Sequence, residues 1–171
     1  FETTVVGGGT VTGASGGTAG AIDINGDVTF TGSFTASADD TSVAGEFTAP
    51  TAFAANGGTM IFDGTDGSEV AGYTFWNVTV RADTEMAGDW TVGGALLVDD
   101  GAGGTTATLT TEDHSLDVSG ALTVTDEIDA GNQSSAASFD VDGSATVNGL
   151  LTLGEGDAAL AGDLAGSGTF T

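Results

Sequence analysis

Short apolar-polar-apolar triplets set six residues apart constrain this chain more than any other feature. Ile22-Asp23-Ile24, Val28-Thr29-Phe30 and Phe34-Thr35-Ala36 form one set, and Phe139-Asp140-Val141, Ala145-Thr146-Val147 and Leu151-Thr152-Leu153 another. Alternation with period two marks a strand that buries one face. Partial copies lie between the sets: Trp90-Thr91-Val92 with Leu96-Leu97-Val98, and Leu116-Asp117-Val118 with Leu122-Thr123-Val124. The residues separating the triplets are mostly Gly, Asn, Asp or Ser, which make turns. Three-residue strands at fixed spacing imply a coil of chain stacked repeatedly on itself.

Comparable triplets recur 26 residues apart (Trp90 to Leu116, Leu96 to Leu122) or 29 apart (Leu116 to Ala145, Leu122 to Leu151). The reading is an all-β chain, a single domain over residues 1–171: a parallel β-helix (β-solenoid) of about six rungs, each with three short strands and rungs ~4.8 Å apart. The inward set is Ile22, Ile24, Val28, Phe30, Phe34, Phe139, Val141, Val147, Leu151 and Leu153. The outward set is Asp23, Thr29, Thr35, Asp140, Thr146 and Thr152. A β-sandwich is the alternative, since its strands also alternate, but it has no reason to keep a six-residue spacing. Residues 37–58 are less regular, with Val43, Phe47 and Phe53 as apolar anchors and Pro50 in a corner or loop.

The runs Gly58-Thr59-Met60-Ile61-Phe62-Asp63-Gly64, Gly120-Ala121-Leu122-Thr123-Val124 and Ser144-Ala145-Thr146-Val147-Asn148-Gly149 resemble the degenerate repeats of large microbial surface proteins. Those are adhesins of the filamentous haemagglutinin and autotransporter type. The resemblance implies a right-handed parallel β-helix exported to the cell exterior.

Twenty-five Asp and Glu against one Lys or Arg give a formal net charge of -24. Such a surface repels phosphate backbones and anionic headgroups, so neither nucleic acid nor a membrane is an expected partner. Screening salt, divalent cations or low pH must relieve the self-repulsion. No apolar run is long enough to span a bilayer as a helix, and the absence of Cys removes disulfides and thiolate metal sites. The chain begins at Phe1 rather than Met, which suits a processed mature protein or an excerpt of a longer one.

Catalytic groups are sparse, and the chain is not read as an enzyme. His114 is the one imidazole, beside Thr111-Glu112-Asp113, and the carboxylate pairs Asp39-Asp40 and Asp99-Asp100 have no basic neighbour for acid-base glycoside hydrolysis. No organic cofactor is expected. Ca2+ is the ion considered, because oxygen-only clusters suit it. Its candidate ligands are Asp23, Asn25 and Asp27, then Asp140 and Asp142, which hold the same place in the second triplet set, and the turn residues Asp63 and Asp66. Asn77 and Asn132 head glycosylation sequons. The short arrays Thr10-x-Thr12, Thr29-x-Thr31, Thr108-x-Thr110 and Thr123-x-Thr125 admit an ice-binding reading, ranked with polysaccharide degradation below the others.

A solenoid exposes unpaired backbone and apolar side chains at its ends unless they are capped. Val5, Val6 and Val11 near one end, and Leu160, Leu164 and Phe170 near the other, are the expected assembly residues. The expectation is therefore an extracellular structural protein at the cell surface, polymerising head to tail with copies of itself. The alternative is a monomeric adhesin or carbohydrate-binding module that takes glycans.

Overall fold

The computed structural model describes residues 5–7, 10–13, 20–48, 51–64, 67–101 and 106–171, and Pro50 and Asp66 lie outside these. Every element is a strand of two to four residues. Among the described residues no helix is long and apolar enough to cross a membrane. The strands pair in parallel and wind as a β-solenoid with three faces.

Face 1 is a continuous eight-stranded sheet. It comprises Ile22–Ile24, Asp40–Val43, Thr59–Phe62, Asn77–Val80, Leu96–Val98, Leu122–Val124, Ala145–Val147 and Leu164–Ala165. Face 2 starts with Val5–Gly7 and Val28–Phe30 and passes through the single bridging residue Phe47. It continues as Ser68–Val70, Thr84–Met86, Thr108–Thr110, Glu127–Ala130, Leu150–Leu153 and Thr169–Phe170. Face 3 is laddered in blocks of three and five strands. The first holds Thr10–Thr12, Ser33–Thr35 and Ala52–Ala54; the second holds Thr74–Phe75, Trp90–Val92, Leu116–Val118, Ser138–Val141 and Asp157–Leu160. Along the chain the faces follow one another as 1, 2, 3 without exception.

The six-residue spacing is thus a strand of three residues plus a corner of three, and each triplet set walks around consecutive faces of one coil. Three such modules make turns of 18 residues, from Met60 to Val78 and again from Val78 to Leu96 on face 1. Corner insertions lengthen later turns to 26 residues (Leu96 to Leu122) and 23 residues (Leu122 to Ala145). The expected 29-residue interval is therefore corrected: Leu116 pairs with Phe139, and Leu122 with Ala145. Comparing Leu116 with Ala145 crosses from face 3 to face 1, one module too far. The shorter turns also make room for about eight coils where about six were expected.

Alternation holds as the triplets require. Ile24, Val28, Phe34, Phe139, Val141, Val147 and Leu151 are buried, and Ile22 and Leu153 are partly covered. Asp23 and Thr29 are exposed, with Thr35, Asp140, Thr146 and Thr152 half-exposed. Of Phe30 only the strand pairing is described. Inward residues stack in columns, such as Met60, Val78, Leu96, Leu122 and Ala145 on face 1, none more than 2% exposed. The early coils are filled by aromatic rings: Phe47, Phe53, Phe62, Tyr73, Phe75 and Trp90 meet at centroid distances of 5.2 to 6.4 Å. Burial of that kind is worth about 1.5–3 kcal/mol for each large side chain. The Trp90 indole N–H finds an acceptor in the Val70 carbonyl at 3.3 Å. The irregular stretch 37–58 is a coil whose face 2 strand has shrunk to Phe47; Asp40 belongs to a strand there and not to a loop.

The corner from face 3 to face 1 shows why glycine is abundant. Gly94, Gly120, Gly143 and Gly162 lie one above another, and a methyl group on any of the upper three would run into the carbonyl of the glycine below. One coil down, the corner has only two residues, Trp76 and Asn77, between Phe75 and Val78. There the Asn77 Oδ1 accepts the Ala95 N–H at 2.8 Å, a side-chain tie to the next coil.

Gly143→Ala is accordingly expected to destabilise the protein by about 1–3 kcal/mol, as overpacking does elsewhere. Urea unfolding followed by circular dichroism measures it; an unchanged midpoint would remove the close-approach argument.

Candidate functional site

The last turn is the most unusual place on the surface. Leu164 continues the face 1 column above Ala145, and Phe170 continues the face 2 column above Leu151. The residues below them are at most 2% exposed, yet Leu164 is 54% and Phe170 46% exposed. They face inward by register, in the last turn of the described residues. Between them lies a recess of about 160 Å3 lined by Val147, Leu164, Ala165, Gly166, Gly168 and Phe170. Gly166 has a φ of +121°, a conformation open to glycine. Leu160 is partly covered on face 3. At the opposite end Val11 is partly covered, and Val5 and Val6 lie in the strand that pairs with Val28–Phe30.

Among the described residues the expected Ca2+ ligands lie at separate places on the solenoid, and Asp66 is outside those residues. Asp23 is on face 1 and Asp140 on face 3, so their equal position within the triplet sets does not stack them. Asp23 accepts from the Ser42 hydroxyl at 3.3 Å, and Asp27 accepts the Glu46 N–H at 3.1 Å, a corner bond. Asn25 and Asp142 are exposed. Asp140 lies in register beside Asp117, outward on the same face. Asp63 sits near Asp23 and Arg81; its pKa is raised, first by partial burial and then by the Asp23 charge, with Arg81 pulling the other way.

The carboxylates that do converge are Asp99, Asp100 and Asp126, half-buried, with one oxygen of each within 4.8 Å of the others. They stand at the corner between faces 1 and 2. Asp126 Oδ2 accepts the backbone N–H of Asp100 at 2.7 Å and of Ala107 at 3.2 Å, tying the ends of the inserted loop. Asp99 Oδ1 accepts the Gly101 N–H at 2.8 Å. The Asp99-Asp100 pair is visible in the sequence, but Asp126 was missed as its partner. The signal existed, because Asp126 follows Asp100 by the same 26 residues that separate Leu96 from Leu122.

His114 stands in turn architecture between faces 2 and 3. Its N–H bonds the Thr111 carbonyl at 3.1 Å, its carbonyl accepts from buried Gln133 at 2.8 Å, and Nδ1 is 3.8 Å from Asp89. Asp113 has its pKa lowered, chiefly by the Ser134 hydroxyl and then by the Ser134 N–H. Thr111 Oγ1 is buried without a hydrogen-bond partner among the described residues. Asn77 is half-buried and committed to its corner, whereas Asn132 is exposed on the 131–137 loop. The Thr arrays are spread over all three faces: Thr10-x-Thr12 on face 3, Thr29 and Thr108-x-Thr110 on face 2, Thr123 on face 1.

Comparison with protein families, with characterised proteins and with solved structures returned no match.

Two stability predictions follow from these groups. Thr111→Val removes a buried hydroxyl that bonds nothing while keeping the shape, and is expected to stabilise by about 1 kcal/mol; a lower thermal midpoint would show that the hydroxyl is satisfied. Because the folded pKa of Asp63 is raised, its charged form is disfavoured in the native state. That cost is present at neutral pH and disappears as pH falls through the carboxylate range. Asp63→Asn should therefore raise the thermal midpoint at pH 7 and leave it unchanged at acidic pH, and a pH series of melting curves on both proteins checks the sign.

Proposed function

We propose that this protein is an exported structural protein, a subunit or repeat of a filament, stalk or matrix at the cell surface, built by end-to-end stacking of β-strands. The observation that carries this reading is the parallel register of all three faces, which lets the core columns that reach Leu164 and Phe170 in the final turn continue into a further coil, of the same chain or of another copy. Each face there ends on a strand with no strand beyond it: Asp157–Leu160, Leu164–Ala165 and Thr169–Phe170. Among the described residues the three faces begin on Val5–Gly7, Thr10–Thr12 and Ile22–Ile24. Since every sheet is parallel, a second copy set in the same direction continues all three at once. The contact joins two different surfaces, so it repeats without closing and yields a fibre.

The acidic surface supports an exterior setting, where salt or Ca2+ offsets the self-repulsion. Asp99, Asp100 and Asp126 are the candidate ligands for that ion, and a complete shell of six to eight oxygens needs water or a neighbouring copy. The repeat style shared with filamentous adhesins favours the same reading.

Electron microscopy of purified protein is the test. Fibres are expected for the parent chain, and dispersed particles for Leu164→Asp/Phe170→Asp. The double variant should melt within about 0.5 kcal/mol of the parent, because both side chains are exposed in the single copy. Fibres that dissolve in chelator support the Ca2+ role, and fibres that persist remove it. Dispersed parent protein under every salt and Ca2+ condition would sink the filament reading.

A further inference from the structure

Trp76 is the exposed large apolar side chain that the open end does not explain. It is 52% exposed, whereas the other tryptophan, Trp90, is 1% exposed within the core. Trp76 occupies the shortened corner between Thr74–Phe75 and Asn77–Val80. The backbone is pinned around it: Gly93 N–H bonds the Phe75 carbonyl at 3.0 Å and Gly94 N–H bonds the Trp76 carbonyl at 2.7 Å. The indole leans over Gly93 of the next coil, where a Cβ would stand 3.6 Å from Cε3. A rigid backbone and a side chain resting on the neighbouring coil give a preformed aromatic surface, so little ordering entropy opposes binding.

Its surroundings indicate the class of ligand. The outward row on face 1 begins at Asp23 and Ser42, but from buried Ile61 upward, past this corner, it is Thr79, Leu97, Thr123, Thr146 and Ala165, a stretch without a charge. The corresponding rows elsewhere carry carboxylates, with Glu69 beside Glu85 on face 2 and Asp117 beside Asp140 on face 3. Above Trp76 the corner continues as Gly93, Gly94 and Ala95, with no side chain large enough to obstruct an extended ligand. An exposed indole offers a flat apolar face to the C–H side of a sugar ring, and flanking hydroxyls bond its edges. The overall negative charge turns away acidic polymers.

We infer that Trp76 is the stacking platform of a binding site for a neutral polysaccharide chain, laid along the corner beside the uncharged row of face 1. This site is independent of the end-to-end contact, since Trp76 lies in the middle of the solenoid.

Fluorescence with acrylamide as quencher tests it on the full chain, because buried Trp90 is shielded and the quenchable emission belongs to Trp76. Cellohexaose, chitohexaose and mannohexaose are the neutral probes, polygalacturonate the anionic control and choline the cationic one. At least one neutral hexaose is expected to lower the quenching constant by about twofold, as stacking covers the one open ring face. Trp76→Ala should weaken binding of that hexaose, read by calorimetry, at least about tenfold, as loss of an aromatic anchor does. Trp90 emission should be unchanged in the variant, which certifies its fold. Three results would overturn the inference: no neutral probe protects the indole, choline protects it better than the sugars, or protection appears on raising protein concentration alone. Fibre formation by Trp76→Ala separates this test from that of the filament.

Discussion

Parallel register between successive coils is the constraint on which the whole structure rests. Each residue has one neighbour directly above and one directly below, ~4.8 Å away, so the chain is effectively written in columns. Inward columns make a mostly apolar core, from the aromatic rings around Phe47 and Phe75 to Leu122, Ile128 and Leu151, with Thr41, Ser68 and Thr84 as buried hydroxyls among them. Corner columns bring backbone onto backbone, which is why glycine stacks on glycine from Gly94 to Gly162.

The same geometry sets the electrostatics. On outward columns like residues fall beside like, as Glu69 beside Glu85 and Asp117 beside Asp140 show, and like charges on neighbouring strands destabilise a sheet. With a single Arg in the chain, ion pairing offers little relief, and hydrogen bonding takes up part of the load. Asp27, Asp83, Asp89 and Asp126 each accept a backbone N–H from another coil. Acidic side chains are thus part of the corner scaffold as well as the solvated exterior.

Much of this was legible from residues 22–36 and 139–153, because strand-plus-corner modules of six residues expose their period directly. The fold class, the alternation and the inward set all came from that period. The length of each turn did not, because corner insertions at 99–107 and 131–137 carry no periodic signal and shift the register after them. Residues 37–58 were opaque for another reason: one face of that coil is held by Phe47 alone, too short to show alternation. Of the seven residues expected to bind Ca2+, five were chosen by their equivalent place in the two triplet sets and Asp63 and Asp66 by their place in one turn. Convergence depends on coil length, which brings Asp126 to Asp99 and Asp100 and leaves Asp23 and Asp140 on different faces. The bare last turn was legible as apolar residues without a cap, but only the columns show that Leu164 and Phe170 point at the axis.

The two-residue corner at Trp76 and Asn77 has a wider implication. A carboxamide carries the same donor and acceptor chemistry as a peptide unit, and Asn77 uses it where the chain is one residue short. At this corner a side-chain carbonyl ties one coil to the next although the chain between the two strands is a residue shorter than in the coil above. The length of each coil is thus set corner by corner and not by a fixed repeat, as turns of 18, 26 and 23 residues on one face show.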